Sequence, residues 1–363
     1  MEAAELLGIS ERTFRRWRDR HREAGLAGLD DRRLAPSLRR APVVEIERML
    51  GLYRDLYRGF TVSHFHEQLL KRHNYVLGYT VTKLHLQREG LVQRAKKRSA
   101  HRKKRPRRPM VGMMLHQDAS THAWLPGDAR TYDLVVTMED ATSTLYSAFL
   151  VDQEGTASSL QGLREVVATH GLFCSLYTDR GSHYFVTPEA GGKVSKTALT
   201  QVGRALSQLG IEHIAAYSPQ ARGRSERVFH TLQDRLPKEF KLAGITSIEA
   251  ANRWLRETFI AEHNERFAIG AEQEGSAFVA DALGAWREIL CVQEDRMVGN
   301  DNTVKWEGLS LQLPPSRLRP HFVKATVRVH AYPDGRLAVL WGPHRLGDYD
   351  ANGRFLEPER IAA

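Results

Sequence analysis

Apolar residues near the start of the chain recur at helical spacing. Residues 2–7 and 11–24 are predicted to form two helices joined by a tight turn, with Ser10 as the N-cap of the second helix. Phe14 and Trp17 share one face of that helix, and arginines cover the rest. Such a helix suits a DNA groove, although a solvated basic helix is the alternative. Residues 1–40 are therefore predicted to be a helix-turn-helix module with its connector, and the missing preceding helix suggests truncation at the N-terminus.

A second helical module is predicted over residues 41–93. Its three helices are expected to begin at Pro42, Thr61 and Thr80, since proline and threonine are favoured at helix starts. Val81 and Leu84 are predicted to face inward on the third helix, and Thr82, Lys83 and Arg88 outward. The polar outer face favours DNA binding, while a packing or dimerisation unit is the alternative.

The character of the sequence changes at Met110, where an apolar run typical of a strand extends to Asp118. Residues 110–285 are expected to form an α/β core with the order β-β-β-α-β-α-β-α. That order favours a mixed five-stranded sheet with helices on its faces. The predicted elements cover residues 110–118, 131–137, 143–151, 155–170, 172–178, 198–209, 211–216 and 226–236.

Alternating apolar residues return near the end of the chain. Residues 327–331 and 337–341 alternate along two predicted strands, and a turn containing Gly335 connects them. The pattern predicts a small C-terminal β-barrel within residues 286–363. The pattern leaves three roles open for this domain: DNA binding, assembly, and capping of the core.

Positive charge is concentrated in the first third of the chain. The whole chain has a formal net charge of +10, and residues 1–108 hold 27 Lys and Arg against 12 Asp and Glu. Ten of these basic residues lie in the stretch 94–108, within a predicted linker over residues 94–109. A run of this charge does not fold alone and attracts phosphate, so the front of the chain is expected to bind a polyanion.

Carboxylates stand where the predicted core elements begin or end. Asp118 ends the first strand in His116-Gln117-Asp118-Ala119-Ser120, and Asp179 follows the fourth in Tyr177-Thr178-Asp179-Arg180-Gly181-Ser182. Glu226 opens the last helix, after Ser218-Pro219-Gln220-Ala221-Arg222-Gly223-Arg224-Ser225. Each acid alone has a structural interpretation as a strand cap, a turn residue or a helix N-terminal acid. Asp140, which also follows a strand, is interpreted as a turn residue or a support for the site.

The three motifs, in this order, resemble those of bacterial insertion-sequence transposases with a retroviral-integrase-type (DDE) catalytic core. The resemblance covers residues 110–285 and implies an RNase H-like fold. It also implies that Asp118, Asp179 and Glu226 are catalytic and hold two Mg²⁺ or Mn²⁺ ions, which prefer carboxylate oxygens. One departure is the 46-residue separation of Asp179 from Glu226, attributed to a flexible insertion at 184–196.

The function implied is that of a DNA transposase. Such an enzyme binds the ends of its element, hydrolyses a phosphodiester to free a 3′-OH, and transfers that end into target DNA. Its expected partners are double-stranded DNA, both terminal repeats and target, and further copies of itself. The residues expected to contact DNA are Arg12, Arg15, Arg16, Arg18, Lys83, Arg88, Arg102, Lys103, Lys104, Arg105, Arg222, Arg224 and Arg227.

Two other functions fit parts of the pattern. A non-catalytic DNA-binding regulator derived from a transposase explains the basic helices, and an RNase H-like nuclease explains the acids. No apolar run reaches the length of a membrane span, and the start Met1-Glu2-Ala3-Ala4-Glu5 lacks the basic character of a signal peptide. The protein is therefore expected in the bacterial cytoplasm with the nucleoid. Cys174 and Cys291 form no C-x-x-C pair, so no zinc finger is predicted.

Overall fold

The structure is a computed structural model, and it forms two compact units, Met1–Ser99 and Ala100–Ala363. The residues that it describes are 2–30, 40–94, 105–189, 192–195, 197–217, 223–281 and 284–357.

The first unit is helical. Its helices are α1 (Glu2–Leu6), α2 (Glu11–Ala24), α3 (Val43–Asp55), α4 (Val62–Arg72) and α5 (Tyr79–Arg88), and a 3₁₀ turn at Gly25–Leu29 follows α2. Ser10 and Thr61 cap α2 and α4 as predicted, because each side-chain oxygen accepts a backbone N–H three residues later. Trp17, on the predicted apolar face of α2, is 41% exposed.

The buried face of α5 differs from the prediction. Gly78, rather than Thr80, is the N-cap of this helix. Thr82 is buried and donates a hydrogen bond to the Tyr75 hydroxyl at 3.2 Å, whereas Leu84 is exposed. Packing against neighbouring side chains therefore buries the side of α5 that carries Thr82, whereas helical spacing alone predicted that the side with Leu84 is buried. Lys83 and Arg88 are exposed, as predicted.

A mixed five-stranded sheet organises the first part of the second unit, which confirms the sheet expected from the element order. Its strands lie in the order β3-β2-β1-β4-β5. The pairs β1–β2 and β2–β3 are antiparallel, and the pairs β1–β4 and β4–β5 are parallel. The strands are β1 (Leu115–His122), β2 (Tyr132–Glu139), β3 (Leu145–Val151), β4 (Ser175–Thr178) and β5 (Glu212–Ala215).

Helices cover both faces of this sheet. On one face α8 packs on β2 and β3 through an apolar core that includes Val136 and Leu232. On the other face α6 and α7 pack on β1 and β4. A Cβ atom at Gly162 would lie 2.6 Å from Gln117 Nε2, so glycine allows α6 to approach the sheet closely. The helices are α6 (Thr156–His170), α7 (Gln201–Gln208), α8 (Ser225–Ala243), α9 (Ile248–Trp254) and α10 (Ile260–Phe267), with a π-helical turn at Leu255–Phe259 between the last two.

The C-terminal strands do not form the predicted barrel. In the described residues they make an open five-stranded sheet, β12-β11-β10-β9-β6, and a separate hairpin, β7-β8. The turn at Gly335 joins β9 to β10 as predicted. Alternation predicts pairing between neighbours, but closure also needs the first and last strands to pair, which the pattern does not encode. The elements are α11 (Trp286–Ile289), β6 (Val292–Met297), β7 (Thr303–Trp306), β8 (Leu309–Gln312), β9 (Thr326–Ala331), β10 (Leu337–Trp341), β11 (His344–Tyr349) and β12 (Phe355–Leu356).

Among the helices that the structure describes, none has the length and apolar character needed to cross a membrane.

Candidate active site

The parallel pairing of β1 with β4 sets the relative position of two predicted site residues. His116 pairs with Tyr177 across these strands. Asp118 lies two residues further along β1, and Asp179 comes directly after the end of β4 at Thr178. Neighbouring strands lie about 4.8 Å apart, and residues two apart share a face of the sheet. Asp118 therefore lies on the face that carries His116 and Tyr177, and Asp179 follows Tyr177 at the same edge of the sheet.

This face is the one that α8 covers. Asp118 pairs with Val136 on β2, and paired residues project to the same side of a sheet. Val136 belongs to the apolar core beneath α8. Asp118 therefore faces α8, the helix that carries Glu226.

Two contacts fix the position of α8 along the length of β1. Gln233 donates a hydrogen bond to Ser120 Oγ at 2.8 Å. Nine residues earlier, Arg224 donates to the Asp140 carboxylate, which also lies 2.7 Å from His116 Nε2. Nine helical residues rise about 13.5 Å and four strand residues span about 13 Å, so α8 runs alongside β1 in the same direction. Glu226 lies seven residues, about 10.5 Å, before Gln233, and therefore between the levels of His116 and Asp118.

The three acids differ in exposure. Asp118 is 8% exposed and Asp179 is half-buried, whereas the Glu226 side chain is exposed. Asp118 Oδ1 accepts the N–H of Ala119 at 3.1 Å, and Asp179 Oδ1 accepts the N–H of Gly181 at 2.9 Å. Within the described ranges, no group of three or more His, Cys, Asp or Glu side chains is gathered closely enough to hold a metal ion. The fold thus places Asp118 on the sheet face beneath α8, the helix that carries Glu226, with Asp179 directly after the end of β4.

Tyr184 was not singled out by the sequence and packs in the apolar core beneath α6 and α7, on the sheet face opposite α8. Its hydroxyl is buried and donates to Gln117 Oε1 at 3.1 Å. Burial raises the pKa of Tyr184, and the charges of Glu154, Asp118 and Asp179 raise it further. The hydroxyl is therefore a neutral donor that supports β1 through Gln117, from the face opposite α8. Tyr184 begins the stretch predicted to be a flexible insertion, which hid its packed position.

Asp140 is a fully buried carboxylate at the end of β2. It accepts hydrogen bonds from Arg105 Nη2 at 2.5 Å, from the backbone N–H of Arg108 at 2.7 Å, and from Arg224. Burial alone would raise the pKa of Asp140, but hydrogen bonds from His116 and the Arg108 N–H, with the charge of Arg224, hold it well below the usual range. Burial lowers the pKa of His116, so its ring is neutral at pH 7. The cluster is thus one carboxylate held among two arginines and a neutral imidazole.

The predicted DNA contacts fall into three groups. The first group is exposed and comprises Arg12, Arg15, Arg16, Arg18, Lys83, Arg88, Arg105 and Arg227. The second group is Arg224, which is 8% exposed and occupied by Asp140 and by the carbonyl oxygen of Arg105 at 2.8 Å. The third group lies outside the described residues and comprises Arg102, Lys103, Lys104 and Arg222.

Known proteins resemble the chain over most of its length. Residues 1–43 match the family described as "Winged helix-turn helix". The protein named "Putative transposase y4bF" of Sinorhizobium fredii is 30% identical over 354 residues, which is 95% of this chain and 76% of that protein. The transposase for insertion sequence IS1202 of Streptococcus pneumoniae is 34% identical over 204 residues, which is 56% of this chain and 43% of that protein.

Solved structures of viral proteins show a weaker likeness. A chain of the simian T-cell lymphotropic virus intasome, in complex with PP2A regulatory subunit B56 gamma, is 14% identical with a TM-score of 0.36 and covers 73% of this chain and 88% of its own. The HTLV-2 integrase catalytic core domain, in complex with magnesium, is 14% identical with a TM-score of 0.30 and covers 41% of this chain and 88% of its own. Both TM-scores are low, and the family assignment rests on the sequence relatives.

Proposed function

Because this chain belongs to the bacterial transposases, we propose that it binds the ends of its insertion element, hydrolyses a phosphodiester there to free a 3′-OH, and transfers that end into target DNA. The observation that carries the proposal is the parallel pairing of β1 with β4, from which we infer that Asp118 and Asp179 are neighbours on the face covered by α8. Two aspartates at one edge of the sheet with a glutamate on the facing helix suit phosphoryl transfer, since carboxylates can hold the divalent cations that offset negative charge on the reacting oxygens.

Asp118, Asp179 and Glu226 are the proposed catalytic residues and the ligands of two Mg²⁺ or Mn²⁺ ions. All three donate carboxylate oxygens, which hard divalent cations prefer. When bound, such ions stabilise negative charge on the attacking and leaving oxygens. The buried environment of Asp118 excludes bulk water from its side of the site, which strengthens its electrostatic interactions.

The proposed DNA-binding surfaces are the exposed basic faces of α2 and α5. Arg12, Arg15, Arg16 and Arg18 are exposed along α2, whose N-cap and preceding turn follow the predicted helix-turn-helix. Two of these arginines also pair within α2, with Arg15 3.2 Å from Glu11 and Arg18 2.9 Å from Asp19. Exposed ion pairs are worth about 0–1 kcal/mol, so phosphate can replace these partners at small cost. Terminal repeats and target DNA are the proposed substrates, acted on by an oligomer of this chain with the nucleoid in the bacterial cytoplasm.

A strand-transfer assay tests the proposal. Full-length protein is incubated with labelled DNA ends from the flanking element and a plasmid target, in Mg²⁺, Mn²⁺ or EDTA. The expected result is end cleavage and joining that require a divalent metal and are lost in the Asp179→Asn variant. Specific binding of the ends with no cleavage in either metal would instead support the DNA-binding regulator. Metal-dependent cleavage without preference for the element's ends would support a plain nuclease.

A further inference from the structure

The residues two positions before the three acids meet around Asp140. His116 precedes Asp118, Tyr177 precedes Asp179, and Arg224 precedes Glu226 by two residues each. His116 and Arg224 both bond the Asp140 carboxylate. The ring of Tyr177 lies 5.1 Å from that of His116 between centroids. One buried cluster thus touches the chain beside every acid of the site.

Two of these neighbours, His116 and Tyr177, lie on β1 and β4, the strands that lead to the two aspartates. Residues two apart on a strand share a face, so His116 and Tyr177 support the same face that bears Asp118 and Asp179. The guanidinium of Arg105 lies 5.4 Å from the centre of the Tyr177 ring and also bonds Asp140. The cluster therefore contacts β1 and β4 two residues before Asp118 and Asp179.

The third neighbour secures the start of α8. Arg224 is the N-cap residue, and its side chain makes no capping hydrogen bond within the helix. It reaches instead to Asp140 and to the carbonyl oxygen of Arg105 at 2.8 Å. Asp140 and Arg224 lie 84 residues apart in sequence. The first turn of α8, and with it Glu226, is thus tied to the end of β2 by an ion pair.

We propose that Asp140 is a positioning residue that holds the start of α8 against β1 and β4, so that Glu226 and the two aspartates keep one spatial relationship. The inference rests on the proposed function. A charge removed from a buried pair leaves its partner uncompensated, so loss of Asp140 leaves the buried Arg224 without its counter-charge and releases the helix start. Supporting residues of this kind change metal affinity or activity by about 10–100-fold when they are replaced.

The test compares Asp140→Asn with Asp133→Asn in the full-length protein. Asp133 is a matched control, because it is a buried aspartate at the opposite end of β2 that bonds Thr121 Oγ1 and the N–H of Glu154 instead of the cluster. We expect Asp140→Asn to lower the single-turnover rate of end cleavage about 10–100-fold and to raise the half-saturating Mn²⁺ concentration. Affinity for the DNA end, measured by fluorescence anisotropy, should stay within about twofold of wild type, and Asp133→Asn should keep wild-type values for rate and metal dependence.

A double variant and hydrogen exchange separate positioning from loss of folding. Asp140→Asn combined with Arg224→Gln removes both charges, and its rate should fall less than the two single effects multiplied together. Amides in the first turns of α8 should exchange faster in Asp140→Asn than in Asp133→Asn, while those of β2 keep their protection.

The outcomes distinguish this inference from the proposed function. A wild-type protein that cleaves no DNA in any metal contradicts the proposed function, while the exchange experiment still tests the tie between Asp140 and α8. An active wild type with Asp140→Asn equal to Asp133→Asn in rate and Mn²⁺ dependence would overturn the positioning role. If the rate effects of Asp140→Asn and Arg224→Gln simply multiply in the double variant, the two residues act independently. That result would overturn the proposed role of their ion pair.

Discussion

His116 on β1 and Tyr177 on β4 pair in parallel register, with their ring centroids 5.1 Å apart. Asp118 and Asp179 each come two residues after this pair, so the pairing determines how the two strands lead to them. Since both chains advance by two residues to reach Asp118 and Asp179, a shift of one residue would turn one acid to the opposite face of the sheet. The register of these two strands is therefore the structural basis of the proposed site.

Replacing either aspartate should abolish chemistry but leave DNA binding intact. Asp118→Asn and Asp179→Asn keep the size of the side chain and remove a metal ligand. Loss of metal catalysis removes several kcal/mol of transition-state stabilisation, so strand transfer should fall by about a thousandfold or more. The measurement is single-turnover cleavage of a labelled end, with gel-shift affinity measured in parallel. Cleavage that persists within tenfold of wild type in either variant would exclude a metal-ligand role for that residue.

Glu226 should be required although its side chain is exposed. Glu249 provides a matched control, because it is also the second residue of a helix and also exposed. Glu226→Gln should lower strand transfer about a hundredfold or more, since it removes one carboxylate of the metal site. Glu249→Gln should retain wild-type transfer. Equal activity of the two variants would show that Glu226 is only a helix N-terminal acid favoured by the helix dipole.

Arginines on α2 should supply a salt-dependent share of DNA affinity. Arg12 and Arg16 are exposed on that helix. Removing one interaction with a phosphate should reduce the slope of log affinity against log salt concentration by about 0.9. Arg12→Gln and Arg16→Gln are therefore expected to weaken binding of a labelled end and flatten that slope, whereas Arg253→Gln on the exposed side of α9 should change neither. An unchanged slope in both α2 variants would remove these residues from the DNA interface.

Glu288 should stabilise the second unit at neutral pH. It joins α11 to the C-terminal sheet through His330 Nδ1 at 3.1 Å, the Tyr332 hydroxyl at 2.6 Å and Arg345 Nη1 at 2.9 Å. The hydrogen bond from His330, with those from Tyr332 and Arg345, lowers the pKa of Glu288 to about 2. At pH 7 Glu288→Gln should lower the melting temperature by about 2–4 °C, equivalent to about 1 kcal/mol after allowance for solvent screening.

The pH dependence of that effect follows from the lowered pKa. The unfolded chain takes up the proton first as pH falls, so the stabilisation is complete above the ordinary pKa of about 4.5 and is lost as pH falls towards 2. Melting curves at pH 7 and pH 3 check this, and the gap between wild type and Glu288→Gln should be smaller at pH 3. A gap that is constant or larger at the lower pH would contradict the proposed role of the ionised carboxylate.

Local signals in the sequence predicted several features of the fold correctly. Ser10 and Thr61 cap the predicted helices, because an N-cap bonds within its own first turn. The mixed sheet follows from the element order, and the hairpin at Gly335 follows from adjacent alternating strands. Features that depend on distant partners were predicted poorly. The buried face of α5 depends on packing against side chains outside the helix, such as Tyr75, and the closure of the C-terminal strands depends on which strands pair.

The sequence by itself determined the order of the elements, the basic front of the chain, and the positions of Asp179 after a strand and Glu226 at a helix start. The predicted end of the first strand at Asp118 was wrong, because β1 continues to His122. Only the tertiary structure decided that Asp118 faces α8, that the Glu226 side chain is exposed, and that Asp140 binds His116 and Arg224. The physical reason is the separation in sequence between the residues that interact. Helical and strand periods are read from residues a few positions apart, whereas the bonds of Asp140 to His116 and Arg224 span 24 and 84 residues. Their partners are selected only when the sheet and its helices pack together.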